Sequence, residues 1–147
     1  MSMRMWSCLA VSTAAFVAGF VLRDSLAPIP ELHAQPANRV FEIRTYTAAE
    51  GKLDALEARF RDHTVRLFEK HGMTNIGYWR PQDAPLSENT LVYILAYPSR
   101  EAAKQSWDAF RADPAWQKAL TASEVDGKLT TKVESLFVEP TDYSPLK

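Results

Sequence analysis

Apolar positions between residues 40 and 147 switch between a period of two and a period of three to four, and the switches mark four strands and the helical stretches between them. Residues 40–47 (VFEIRTYT) alternate, with Phe41, Ile43 and Thr45 on one side and Val40, Glu42, Arg44 and Tyr46 on the other. β-Branched and aromatic residues at that period predict a strand. After Gly51, the residues Leu53, Leu56, Phe60, His63, Leu67 and His71 recur at helical spacing. They predict a helix over 52–71 whose charged residues fall mostly outside the stripe. Gly72 stands where a left-handed C-cap is expected. Residues 73–80 read as a second strand weakened by Gly77, and 81–89, with two prolines, as a turn region. Residues 90–97 (TLVYILAY) are apolar on both faces and are predicted to lie centrally in the sheet. Ser99 is placed to cap a helix with Ala103, Trp107 and Phe110 on its apolar face. Asp113 and Pro114 restart a shorter helix carrying Trp116 and Leu120. The last strand is expected over 129–138, ended by Pro140, with 141–147 as a tail.

This β-α-β-β-α-β order is the ferredoxin-like plan, an α+β sandwich with both helices on one face of an antiparallel sheet. The expected helix-facing set is Phe41, Ile43, Ile76, Val92, Ile94, Leu136 and Val138. That choice turns Val40, Arg44, Tyr46, Trp79, Tyr93, Leu95, Tyr97, Val133 and Phe137 away from the helices. So large an apolar and aromatic face is not left in water. A homodimer is therefore expected, its two sheets packed about a two-fold axis to enclose a barrel. A charge at Tyr93 is expected to split it.

Residues 5–22 form an uncharged run of 18, preceded by Arg4 and closed by Arg23 and Asp24. That is the secretory pattern, and its length also meets the lower limit of roughly 17 residues for an uncleaved anchor. Pro28, Pro30 and Pro36 mark the following stretch as linker. The expected organisation is a signal peptide or membrane anchor with linker over 1–34 and one folded domain over 40–147. The expected location is extracytoplasmic, periplasmic or secreted, with membrane contact only through residues 5–22 if they are retained. Of the 147 residues, 46% are hydrophobic and 24% charged, which fits one globular domain and excludes a disordered chain. A net charge of −1 gives no electrostatic footprint for nucleic acid. The single cysteine, Cys8, lies in the leader and leaves no disulfide framework or thiolate metal site in the domain. His63 and His71 are not at a metal-pair spacing, and no metal is expected.

The string VFEIRTYT, then Gly51 and Lys52, His63, His71 and Gly72, and Gly77 with Tyr78 and Trp79 together form an ordered set. It continues through Trp107, Phe110, Asp113, Pro114, Ala115 and Trp116 to the ending VES and PTDYSPL. In order and spacing the set resembles the NIPSNAP family across residues 40–147. The resemblance implies a dimeric α+β barrel related to antibiotic-biosynthesis-monooxygenase and EthD-type domains, in a family whose function is poorly defined.

Two kinds of chemistry fit the polar residues. Glu42 and Arg44 share a face of the first strand, opposite a last strand bearing Lys132 and Glu134. They are either a cross-strand charge pair or anchors for an acidic or polar ligand. Tyr46, Trp79, Tyr93 and Tyr97 form either an aromatic pocket wall or a dimer seam. His63 is either a core histidine or, as in related barrels, a proton shuttle or axial haem ligand. His71 suits a helix C-terminus, where the dipole favours it. No nucleophile elbow, phosphate loop or dinucleotide fingerprint is present. The first functional expectation is an exported homodimeric binding or interaction module without a cofactor, using Glu42, Arg44, Tyr46, Trp79 and Tyr93 for a small apolar or aromatic ligand. The alternative is a small monooxygenase-like or haem-binding enzyme with His63 as base, Arg44 as anion anchor and Tyr93 as hydrogen-bond donor.

Overall fold

Strands β1 (Val40–Ala48), β2 (Thr74–Trp79), β3 (Thr90–Tyr97) and β4 (Thr130–Val138) pair antiparallel throughout, in the order β2-β3-β1-β4. The computed structural model describes residues 39–147, so the predicted leader and linker lie outside the described residues. Between β1 and β2 the chain runs through α1 (Leu53–Arg59), a π-helical turn (Phe60–Thr64) and α2 (Val65–Lys70). Helices α3 (Arg100–Ala112) and α4 (Pro114–Ser123) connect β3 to β4. This is the ferredoxin-like order the pattern predicts, with β3 and β1 central. No helix among the described residues is long and apolar enough to cross a membrane.

Local chemistry sets the element ends where the sequence places them. Ser99 Oγ accepts from the Ala102 N–H at 3.0 Å, and Asp113 Oδ1 from the Ala115 N–H at 2.8 Å, capping α3 and α4. Gly72, at φ 77°, ends α2 in the left-handed region, where a side chain would be strained. Asp113 does more than cap. Its Oδ2 also takes Lys70 Nζ at 2.6 Å and lies 2.7 Å from His71 Nε2, clasping the end of α2 to the α3–α4 junction. His71 thus closes the helix as expected, with a carboxylate partner added.

The π-turn corrects the first helical stripe. One extra residue per turn at Phe60–Thr64 moves the buried face from Phe60 to Thr64 and Phe68, and away from His63 and His71. Its widened backbone is satisfied locally. Thr64 Oγ1 donates to the Arg59 carbonyl at 3.2 Å, and Asn75 Nδ2 to the Val65 carbonyl at 3.1 Å.

The sheet faces are the reverse of the expectation. Glu42, Arg44, Tyr46, Tyr93, Leu95, Tyr97 and Phe137 lie on the helix side, whereas Ile43, Val92, Ile94 and Leu136 lie on the open side. Tyr93 is fully buried, with ring centroids 5.1 Å from Phe60 and 5.4 Å from Tyr78. Phe68 links it to Trp107 and Phe110 on α3. Alternation fixes which residues share a face, and here aromatic volume decides which face the helices cover. A charge at Tyr93 would therefore break the core itself. The C-terminal tail lies over one end of the open face, where Pro140, Thr141, Ser144 and Leu146 meet Phe41, Ile43 and Val138. Arg39 Nε pins the last residue by donating to the Lys147 carbonyl at 2.8 Å.

Bonds from Lys70 and His71, with the Ala115 N–H, hold the Asp113 carboxyl well below the usual carboxylate range. A depressed folded-state pKa stabilises the fold above the unfolded-state value, about 3.9 for Asp, and this contribution is lost as pH falls through the folded value. Asp113→Asn is therefore expected to melt lower than the parent at pH 6, with the gap closing below about pH 4. Thermal unfolding across pH checks this, and a gap independent of pH would contradict the clasp.

Candidate functional site

Burying a carboxylate beneath two helices requires donors on every side of it, and Glu42 has them. It is 1% exposed, and its two oxygens accept four bonds. Oε1 takes Arg44 Nη1 at 2.5 Å and the Ser135 hydroxyl at 2.6 Å; Oε2 takes the Tyr97 hydroxyl at 2.7 Å and Trp107 Nε1 at 2.8 Å. The donors come from β1, β4, β3 and α3. Burial alone would raise the Glu42 pKa, but the bonds from Ser135, Tyr97 and Trp107 and the Arg44 charge together outweigh it, leaving the carboxyl below its ordinary value. The Tyr97 hydroxyl is pushed up, first by burial and then by Glu42.

Arg44 is the other half of the pair. Its guanidinium lies 4.3 Å from the Trp107 ring centroid, and Nη2 donates to the Tyr46 hydroxyl at 3.3 Å. Burial works against its charge, but Tyr93, Tyr46 and Glu42 overcome that and raise its pKa. Arg44 Nε nevertheless has no hydrogen-bond partner, nor has the Tyr93 hydroxyl. These two residues are direct cross-strand partners on β1 and β3, so two buried, unpaired polar groups share one side of the sheet. Burial pushes the Tyr93 phenol up, as does the neighbouring Tyr46, so it remains an O–H donor.

A cleft of about 510 Å³ opens onto this pair between α3 and β4. Glu42, Arg44 and Ser135 contribute to the lining nearest the sheet, with Trp107 and Phe137 as aromatic surfaces. Arg100 lies across Phe137, its guanidinium carbon 3.4 Å from the ring centroid. A second, separate cleft of about 410 Å³ lies between α1 and the end of β2, bordered by Phe60, Tyr78, Trp79 and Arg80. Arg80 is held there by Glu57 and Asp54.

The structure thus gathers four of the five proposed ligand-binding residues, Glu42, Arg44, Tyr46 and Tyr93. It leaves Trp79 apart, half-exposed on the β2 edge with its indole lying against Gly77. Lys132 and Glu134 pair with each other on β4 rather than with Glu42 and Arg44. Of the catalytic trio, Arg44 and Tyr93 are neighbours, but His63 is exposed on the far side of the helix. It borders a surface cleft of about 270 Å³ shared with Arg66, Leu67, Lys70 and Ala115. Such a cleft, edged by two cations and open to water, does not provide the apolar walls a haem needs on both faces, so the residues do not fit that group. Ser135, Trp107 and Arg100 were not among the expected site residues. A buried acid implies donors, yet their sequence positions lie 93, 65 and 58 residues from Glu42 and carry no local motif.

The NIPSNAP family model matches residues 41–145. No curated protein sequence matches the chain significantly. Among solved structures, a NIPSNAP family protein of unknown function from Agrobacterium tumefaciens is 25% identical with a TM-score of 0.66, covering 76% of this chain and 96% of that one. An uncharacterized NIPSNAP-like domain protein from Burkholderia xenovorans is 19% identical with a TM-score of 0.64, covering 74% and 90%. SnoaB, a cofactor-independent oxygenase from Streptomyces nogalater, shares the fold at 17% identity and a TM-score of 0.51, covering 74% and 99%. With the family model spanning nearly all of the described residues, the chain belongs to the NIPSNAP family.

Proposed function

We propose that this protein is an exported, homodimeric small-ligand-binding domain whose ligand enters between α3 and β4 and places an acceptor oxygen on Arg44. The observation that carries this reading is the cleft of about 510 Å³ between α3 and β4, whose inner lining is the Glu42–Arg44 ion pair. Arg44 Nη1 and Nη2 give one N–H each to Glu42 and Tyr46 and keep a second, so an acceptor oxygen at the inner end of the cleft meets a charged donor. Trp107 and Phe137 add aromatic surface along the cleft, the usual combination for a small-molecule site.

Export is supported by the charged start and 18-residue apolar run of the leader. The dimer is supported by the sheet face opposite the helices, where Ile43, Val92, Ile94 and Leu136 form an apolar strip that the tail covers at one end only. Two such strips packed about a two-fold axis enclose a barrel on the side of the sheet away from the ligand cleft.

A catalytic reading has less support. SnoaB is a cofactor-independent oxygenase, and a charged donor such as Arg44 on a substrate oxygen would suit an enzyme that relies on the substrate's own reactivity. A general base is what this site lacks among the described residues. Glu42 is held by four donors and His63 points to solvent.

Arg44→Lys tests this reading because it keeps a cation beside Glu42 and removes the guanidinium fork. The variant is expected to bind 4-phenylphenol, a neutral aromatic probe, about tenfold more weakly than the parent, the loss expected for one good hydrogen bond. Calorimetric titration measures the affinity, and circular dichroism checks the fold of the variant. Unchanged affinity, or no binding of the phenol to the parent, would remove the assigned ligand site. For the dimer, Leu136→Glu is expected to give monomers with little loss of unfolding free energy, because Leu136 is 60% exposed in the single chain. Light scattering of the parent at micromolar concentration decides the matter first, and a monomeric parent would refute the barrel.

A further inference from the structure

We infer that the C-terminal tail of each copy seats on the bare end of its partner's open sheet face, with Tyr143 as the anchor of the seam. The inference rests on the homodimer proposed above and adds how the two copies interlock.

Cross-strand register divides the open face into three rows. The first runs through Phe41 and Val138, the second through Ile43, Ile94 and Leu136, and the third through Thr45, Val92 and Trp79. The tail crosses the first row and reaches Ile43 and Ile94 of the second. The third row lies beyond it. There the Trp79 indole leans back over Gly77, where an added Cβ would stand 2.6 Å from the ring, so the aromatic surface lies along the strand. The tail is a built ridge. Arg39 Nε donates to the Lys147 carbonyl at 2.8 Å, and Lys147 Nζ to the Asp142 carbonyl at 2.9 Å. The Ser144 N–H donates to the Thr141 carbonyl at 3.1 Å, closing a turn that carries Tyr143.

Seven large apolar side chains are exposed among the described residues, and four of them, Trp79, Leu136, Tyr143 and Leu146, belong to this face or to the tail upon it. A stable interface covers about 800 Å² on each partner. Of the four aliphatic residues of the strip, Ile43, Val92 and Ile94 are already half-buried, so the strip alone supplies only a small part of that area. A full aromatic side chain contributes about 150–250 Å², so Tyr143 and Trp79, 85% and 49% exposed, add about 200–330 Å². The seam therefore needs the tail, and symmetry fixes where the tail goes. A two-fold axis along the strands would bring both tails to the same end of the sandwich, one against the other. Facing sheets pack about 10 Å apart, which leaves room for one crossing chain and not two. The tails would wedge the sheets apart and leave both third rows in water. An axis across the strands instead sets each tail opposite the partner's third row, and the ridge of one copy fills the step of the other.

Sedimentation equilibrium of protein expressed from the full chain tests the interlock. The parent is expected to dimerise, and Tyr143→Ser to weaken the dimer at least tenfold, because a two-fold seam contains the residue twice. In the Leu136→Glu background, where the dimer is already lost, Tyr143→Ser is expected to leave the unfolding midpoint unchanged, since the side chain touches little of its own chain. Cross-linking with a short bismaleimide separates the two symmetries in a Cys8→Ser background, at concentrations that keep the variants dimeric. Tagged Tyr143→Cys chains mixed with untagged Thr45→Cys chains are expected to cross-link to each other, and Tyr143→Cys chains alone are expected not to cross-link. An unchanged dimer in Tyr143→Ser, or Tyr143→Cys chains joined to one another, would overturn the interlocked seam while leaving the dimer standing. A monomeric parent would overturn both.

Discussion

One buried carboxylate organises this domain. Glu42 draws a donor from each of four elements: Arg44 on β1, Tyr97 on β3, Ser135 on β4 and Trp107 on α3. Separately these are ordinary hydrogen bonds, and as a set they fix the position of α3 over the three strands β3-β1-β4. The arrangement is stringent in the way buried ion pairs are. Removing one partner of such a pair leaves an uncompensated charge, typically about 3–5 kcal/mol, whereas replacing both with apolar groups is often neutral. The pair is therefore a weak explanation of stability and a stronger explanation of geometry. It holds Arg44 flat beneath Trp107 and next to Tyr93. The orientation of the Arg44 guanidinium follows from a structural requirement.

The same requirement explains why the cleft between α3 and β4 lies where it does. Along β4 the stretch 131–136 is exposed, and only the ends, Thr130 and Phe137 with Val138, are half-buried. Helix α3 thus overhangs the sheet without sealing it on that side, and the Glu42–Arg44 pair lies at the back of the opening. On the β2 side the aromatic cluster of Phe60, Tyr78 and Tyr93 fills the space between the layers, so the two clefts are separated by packed rings.

Much of the fold is legible in the sequence because local signals agree. The strand over 90–97, the Ser99 and Asp113 caps and the Gly72 turn each have a short-range cause that tertiary structure does not overrule. Two features were hidden. The π-turn at Phe60–Thr64 adds a residue to a stripe that otherwise fits a regular helix, which is why His63 reads as core while it is exposed. Side-chain spacing alone does not reveal a change in backbone pitch. The choice of sheet face was also hidden, since a period of two fixes partnership and leaves the face undetermined. Judged by charge, the strip containing Glu42 and Arg44 belongs outside. Judged by volume, the strip containing Tyr93, Leu95 and Tyr97 belongs inside, and they are the same strip. Volume prevails because the two charges neutralise each other and find polar partners within the core.

That reversal changes the relation between the proposed ligand site and the proposed partner copy. With the aromatic face outward, the barrel between two sheets would have been the binding chamber, and loss of the dimer would have abolished binding directly. With that face beneath the helices, the cleft is built by one chain, and the strip available to a second copy is Ile43, Val92, Ile94 and Leu136 on the reverse of the same strands. The two surfaces are separated by a single sheet, and Ile43 lies between Glu42 and Arg44 in the chain. In the proposed dimer, coupling between them would therefore be mechanical. Packing that restrains Ile43 and Ile94 from behind also restrains the backbone that positions Arg44 and Tyr93 in front. A monomer would keep every group of the cleft but hold them less firmly, so dimerisation would strengthen the proposed binding through rigidity rather than by adding contacts.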